Sequence, residues 1–197
     1  YFLGCIQTGY FVGRLCGLDI RQYGSGNAGT TNVLRTLGKS RALITFLGDA
    51  LKGMIPVLIV KLVIGPAIPG LNSELLQLVL GFAVVLGHDF PFFLHFKGGK
   101  GIATSAAVMM GFDWRMGLCC LVIFVVVVAI TRYVSLASTL LSAALIVEIL
   151  FFYPGRWELF VMILLYAGFA IYRHRANIKR LLSGTESKLG QKVEVKK

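Results

Sequence analysis

The residues from Leu121 to Ile130 contain no polar side chain at all, and the apolar run around them covers 116–131. Such a stretch escapes water only in a large core or in lipid, and composition decides for lipid. Hydrophobic residues make up 56% of the 197-residue chain and charged residues 15%, against about 45–50% and about 25% in water-soluble domains. Further apolar segments fall at 1–18, 42–64, 74–96, 102–112, 136–153 and 157–172. A helix needs about 20 such residues to cross a bilayer, because in lipid its backbone groups find partners only within the helix. The chain therefore reads as an all-α integral membrane protein with about seven transmembrane or partly spanning helices, in one polytopic domain over 1–197. The segment at 102–112 is too short to cross and reads as a tilted partial helix or the start of a re-entrant element. The count stands at seven crossings or five. Tyr1 lies directly in an apolar stretch with no basic segment before it, which reads as a chain with residues upstream rather than as a signal peptide.

The chain is also basic, with 20 Lys and Arg against 9 Asp and Glu, a formal +11. Basic residues gather on cytoplasmic loops. With the N-terminus outside and seven crossings, 15 of the 20 fall on the inner side and 3 on the outer. This orientation puts the C-terminus in the cytoplasm and makes 179–197 a basic, partly flexible tail drawn to anionic headgroups. Cys5, Cys16, Cys119 and Cys120 show no C-x-x-C spacing, so neither a disulfide framework nor a zinc site is expected.

Three inner regions carry more than topology. The first is Arg21-Gln-Tyr-Gly-Ser-Gly-Asn-Ala-Gly-Thr-Thr-Asn-Val-Leu-Arg35. Its glycines, Gly26 among them, let backbone approach a ligand, while Ser25, Asn27, Thr31 and Asn32 add small donors and Arg35 a planar cation suited to phosphate. The second runs from Gly87-His88-Asp89 to Lys97-Gly98-Gly99-Lys100-Gly101, where two lysines in a glycine run open the helix at Ile102. His88 alone reads equally as a structural residue, and Asp89 as a cap or ion-pair partner. The third joins Arg132-Tyr-Val-Ser135-Leu-Ala-Ser138 to Tyr172-Arg173-His174-Arg175-Ala-Asn177. If the latter is helical, Arg173, His174 and Asn177 share a face. Within the apolar segments, Asp49 and Lys52 stand three apart and read as an internal ion pair, whereas Glu148 has no partner in the sequence.

Lookalikes fail on context. Gly24-x-Gly26-x-x-Gly29 matches a dinucleotide fingerprint but lies between membrane helices instead of inside a βαβ unit. Gly38-Lys39-Ser40 lacks the earlier P-loop glycine, since Val33 stands there. Neither a nucleophile elbow, a histidine with aspartate five residues on, a two-metal acidic pair nor a Cys/His cluster is present, so no metal or other cofactor is expected. The set suits phosphate groups at the inner membrane surface, and an enzyme built this way needs a substrate with its own activated leaving group. An anion transporter or a lipid-binding scaffold would use a similar cradle, but no internal repeat favours a transporter.

The stretches Gly24–Arg35, Gly87–Thr104 and Tyr133–Ser138 resemble the three signature regions of the bacterial acyl-phosphate:glycerol-3-phosphate acyltransferases, the PlsY family; the run Tyr172-Arg-His-Arg-Ala-Asn-Ile178 matches as well. The resemblance covers essentially the whole chain. It implies a multi-pass enzyme of the bacterial plasma membrane, its active site on the cytoplasmic face. The enzyme would move a fatty acyl group from acyl phosphate to the 1-hydroxyl of glycerol 3-phosphate. The products would be lysophosphatidic acid and phosphate, in the first acylation of phospholipid synthesis. A monomer is expected, working in the lipid bilayer without nucleic acid and supplied with acyl phosphate by a separate enzyme. Ser25, Thr31 and the amides of Gly98 and Gly99 would hold the donor phosphate. Arg35 and Lys100 would hold glycerol 3-phosphate, and Ser138, His174 and Asn177 would orient its hydroxyl. Catalysis would rest on His174, Asn177, Lys100 and Arg35.

Overall fold

The computed structural model describes residues 1–191, and every regular element among them is helical. Helix α1 is Phe2–Cys5, α2 is Thr8–Leu15 and α3 is Thr30–Leu37. Helix α4 runs Lys39–Ile59 and continues through a π-helical turn, Val60–Ile64, to Ala67. Then follow α5 (Ser73–Asp89), α6 (Ile102–Phe112), α7 (Trp114–Thr131), α8 (Val134–Phe152), α9 (Trp157–Arg173) and α10 (Arg175–Leu182). Four stretches are long and apolar enough to cross a membrane: Lys39–Ala67, Ser73–Leu94, α7 and α8. The α9–α10 pair, bent by 58°, makes a fifth if it is taken as one span.

Two of the seven expected segments fall outside these stretches. The first, at 1–18, is divided between α1 and α2 at Ile6–Gln7. Both residues at the break are taken by polar partners deep in the molecule. The Ile6 carbonyl accepts from Lys52 Nζ at 2.6 Å, and the Gln7 side-chain amide donates to the His88 carbonyl at 2.7 Å. Hydropathy registers the run but not the break. The second is α6, whose 11 residues extend about 16 Å, about half the hydrocarbon thickness. Lys61, on the π turn, donates to the Gly111 and Phe112 carbonyls at 3.1 and 2.8 Å and so satisfies acceptors at the α6 C-terminus.

The core lies where α5, α6, α8 and α9 meet. Leu78, Val108, Met109, Ile149, Leu159 and Ile163 are almost completely buried there. Glycines let backbones approach: a Cβ at Gly4 would collide with the Val84 carbonyl of α5, and one at Gly53 with the Thr104 carbonyl of α6. The outward faces carry exposed apolar residues such as Leu121, Val125 and Ile130, as a lipid-facing surface requires. Asp49 and Lys52 pair at 2.9 Å, as their spacing predicts. Glu148, 8% exposed, keeps both carboxyl oxygens without a hydrogen-bond partner among the described residues.

Residues 185–190 fold back over the helix ends. The Leu189 amide donates to the Arg132 carbonyl and the Arg132 guanidinium to the Leu189 carbonyl, both at 2.7 Å, and Arg35 donates to the Ser187 carbonyl at 3.1 Å. Lys192, Lys196 and Lys197 lie outside the described residues.

Candidate active site

A cavity of about 580 Å³ opens among α3, α4, α6, α7, α8 and the start of α10. One end is polar. It collects Ser25, Asn27, Thr31, Asn32, Arg35, His88, Lys100, Ser135, Ser138, His174 and Asn177, together with Glu186 from the folded-back tail. The other end is an apolar trench between α4, α6 and α7, including Phe46, Met54, Ala107, Met110, Leu121 and Phe124.

The glycine-rich loop earns its shape locally. Gly26 sits at φ +70°, where a side chain would be strained. Asn32 does not face a ligand with spare capacity; it staples the loop. Its amide donates to the Ile20, Tyr23 and Asn27 carbonyls at 2.9–3.0 Å, and its oxygen accepts from the Ser25 amide at 2.9 Å. Asn27 closes a turn by accepting from the Gly29 amide. Thr30 and Arg35 line the cavity, and Thr30 Oγ1 and Arg35 Nε are buried without a protein partner among the described residues. Buried donors of this kind call for an acceptor from a ligand. Burial lowers the Arg35 guanidinium, an effect Glu186 opposes.

The second loop is built differently from its sequence expectation. The Gly98 amide donates to the Asp89 carbonyl at 3.1 Å and the Gly99 amide to the His88 carbonyl at 3.0 Å. Neither amide is free for a phosphate, and neither glycine lines the cavity. Their role is steric, since a Cβ at Gly98 would strike the His88 carbonyl and one at Gly99 the His88 ring. Lys97 is exposed on the loop surface, and Gly26 likewise lies outside the cavity wall. His88 is buried at the cavity wall, where its Nδ1 meets Lys52 Nζ at 2.8 Å, within the Asp49–Lys52 pair. Asp89 pairs with Arg173 at 3.3 Å, and Arg173 also donates to the Gly99 carbonyl at 2.6 Å, which ties the loop to the end of α9. Lys100 emerges from this clamp just before Gly101, whose φ of +68° starts α6.

The third region is not one helix. It breaks at His174 (φ −94°, ψ 3°). The break turns Arg173 toward Gly99 while His174 and Asn177 both reach the cavity. His174, just beyond the α9 span, holds Nδ1 at 2.8 Å from the Ala170 carbonyl. A carbonyl only accepts, so Nδ1 carries the proton and Nε2 of the neutral ring is left as an acceptor. Burial, reinforced by Lys100, pushes His174 down to about 4, so the ring is neutral at physiological pH. Lys100 donates to the Asn177 side-chain oxygen, and the Asn177 amide donates to Glu186 at 2.7 Å. Burial brings Lys100 down to about 8; Glu186 opposes this, while Arg180, Arg173 and Arg35 add to it.

Glu186 is the residue sequence reasoning missed. It accepts from Ser135 Oγ at 2.8 Å, from Asn177 and from Arg180 Nε at 2.7 Å. Burial would raise its carboxyl, but those three donors hold it below the usual range. The one available signal was an acid six residues after Arg180, in a stretch read as a basic tail.

The glycerol-3-phosphate acyltransferase family profile matches residues 1–184. Curated relatives carrying that name are 48% identical over 197 residues in Thermoanaerobacter sp. (strain X514), covering 100% of this chain and 95% of the relative. In Clostridioides difficile (strain 630) the figures are 48% over 196 residues, with 98% and 94% covered. The chain belongs to the glycerol-3-phosphate acyltransferase family. It is an enzyme of the membrane, and its fold is shared with a solved relative. The glycerol 3-phosphate form of the integral membrane acyltransferase PlsY (YgiH) superposes with a TM-score of 0.86 at 40% identity, covering 96% of this chain and 92% of that one. The lysophosphatidic acid form of the same enzyme gives 0.83 at 39%, covering 97% and 92%. Within the family frame, the glycine-rich loop, Lys100 and the His174–Asn177 pair are the polar half of one amphiphilic cavity.

Proposed function

We propose that this acyltransferase moves a fatty acyl group from acyl phosphate to the 1-hydroxyl of glycerol 3-phosphate, giving lysophosphatidic acid and phosphate. One observation carries the reading: a single cavity joins a cationic, donor-rich end to an apolar trench. A phosphate-bearing acyl donor has that same division of polarity. A trench of this kind binds an acyl chain by removing it from water, at about 0.8 kcal/mol per buried CH₂. That the solved relative takes both glycerol 3-phosphate and lysophosphatidic acid supports the acceptor and the product.

Arg35, Lys100 and Thr30 would bind the phosphates, and Ser25 and Thr31 would flank them. The glycerol hydroxyl would rest against His174 Nε2. Its oxygen attacks the acyl carbon, the bond from that carbon to the phosphate oxygen breaks, and phosphate departs with the electron pair. The hydroxyl proton leaves on the phosphate. No protein nucleophile is needed, because acyl phosphate is already an anhydride. Two of the cavity hydroxyls are also occupied, Ser138 on the Val134 carbonyl and Ser135 on Glu186. Positioning and charge neutralisation would then supply most of the rate. The excess of basic residues on one side supports a polar end that faces the cytoplasm, in a bacterial plasma membrane.

The test is purified enzyme with labelled glycerol 3-phosphate and, in parallel, palmitoyl phosphate, palmitoyl-CoA and palmitoyl carrier protein. Labelled lysophosphatidic acid is expected with the first donor alone. Equal product from either thioester would refute the donor assignment.

A further inference from the structure

The trench has a measurable length, set by the half-length helix α6. From Lys100 to Met110 is ten residues, about 15 Å at the helical rise of α6, which begins at Ile102. Small residues at helical spacing, Ala103 and Ala107, lead along its cavity face to Met110. Across from it, Gly117 of α7 comes so close that a Cβ there would collide with the Met110 backbone. Behind that contact lie Met109, Phe112 and Met116, none more than 3% exposed. The trench therefore ends at Met110 and Gly117 against packed core.

We infer that α6 is a ruler for acyl chain length, with Ala103, Ala107 and Met110 as successive marks. This rests on the acyl-donor reading above. An extended hydrocarbon with bonds of about 1.5 Å at tetrahedral angles advances about 1.25 Å per carbon. Counted from Lys100 at about 1.5 Å per helical residue, Ala103 lies near the fourth carbon, Ala107 near the eighth and Met110 near the twelfth. Each methylene up to that end gains about fourfold in kcat/KM from burial. Beyond it the gain stops, because packed core closes the path. A longer chain must turn sideways past Phe46 and Leu121, whose side chains are about half exposed on the lipid side.

The experiment measures kcat/KM for acyl phosphates of 4, 8, 12 and 16 carbons with the wild type, Ala103→Leu, Ala107→Leu and Met110→Ala. In the wild type kcat/KM should rise to about 12 carbons and then level. Ala107→Leu should lower the ratio of the 12-carbon to the 4-carbon substrate at least tenfold while sparing the ratio of 8 to 4. Ala103→Leu should collapse the 8-to-4 ratio as well, and Met110→Ala should move the plateau to longer chains. Ratios within one variant cancel losses of folded enzyme, and the enlarging variant reads the ruler in the opposite direction. Chain-length ratios that stay at wild-type values, or that shift by the same cutoff in both leucine variants, would overturn the ruler. If the wild type accepts an acyl-CoA series and no acyl phosphate, the donor reading fails, and the ruler is judged by the same cutoffs on that series.

Discussion

Lys100 gives the account its sharpest pH dependence. Burial and the neighbouring arginines bring it down to about 8 in the free enzyme, against Glu186, which works to keep it charged. The proposed role requires the ammonium, so activity must fall as pH rises through that value. With a midpoint at 8, about nine-tenths of the sites are charged at pH 7 and about one-tenth at pH 9, a roughly tenfold loss of kcat/KM. The assay is kcat/KM for glycerol 3-phosphate from pH 7 to 10, a range above the second ionisation of the substrate phosphate near pH 6. Two variants separate Lys100 from any other titrating group. In Lys100→Arg the charge persists throughout the range, so the limb at 8 should vanish whatever the absolute rate. In Glu186→Gln the opposing carboxylate is gone, so the limb should move below 8. A limb that stays at 8 in Lys100→Arg, or that moves upward in Glu186→Gln, would refute the reasoning.

Other perturbations have definite signs. His174→Ala removes an aligning acceptor, so kcat should fall about tenfold, the worth of one hydrogen bond of about 1–1.5 kcal/mol. A loss of about 10³-fold or more in single-turnover rate would instead assign the hydroxyl proton to His174. Arg35→Ala should raise KM for glycerol 3-phosphate by about 10–100-fold through a lost charge-assisted bond. Lys39→Ala, an exposed cation at the start of α4, should stay within about twofold in the same assay. Arg173→Ala breaks a buried pair and strands Asp89. It should cost about 3–5 kcal/mol of stability, read by thermal denaturation in detergent, and Arg173→Ala with Asp89→Asn should recover part of that.

Much of the site can be read in the sequence because its chemistry is local. Arg35 and Lys100 stand out as cations in glycine settings, Asp49 and Lys52 by their i,i+3 spacing, and His174 with Asn177 as a polar pair beside a span. The misreadings share a cause: partners that only the fold brings together. The Gly98 and Gly99 amides looked free because the sequence does not show the loop turning back on itself; the fold brings the Asp89 and His88 carbonyls to them. Glu186 lies in a stretch read as a basic tail, and only the fold shows Ser135 and Asn177 meeting it from α8 and α10. The first apolar segment reads as one continuous run because hydropathy counts side chains. Lys52 and His88, more than 45 and 80 residues away, define the break at Ile6–Gln7.

The central claim is direct transfer from acyl phosphate to glycerol 3-phosphate, with phosphate as the leaving group and no acylated protein between. Phosphorus NMR follows donor, acceptor and both products in one tube. The account predicts one inorganic phosphate released for each lysophosphatidic acid formed, and no enzyme-dependent phosphate without glycerol 3-phosphate. A stoichiometric burst of phosphate from enzyme and acyl phosphate alone would reveal an acyl-enzyme and contradict it.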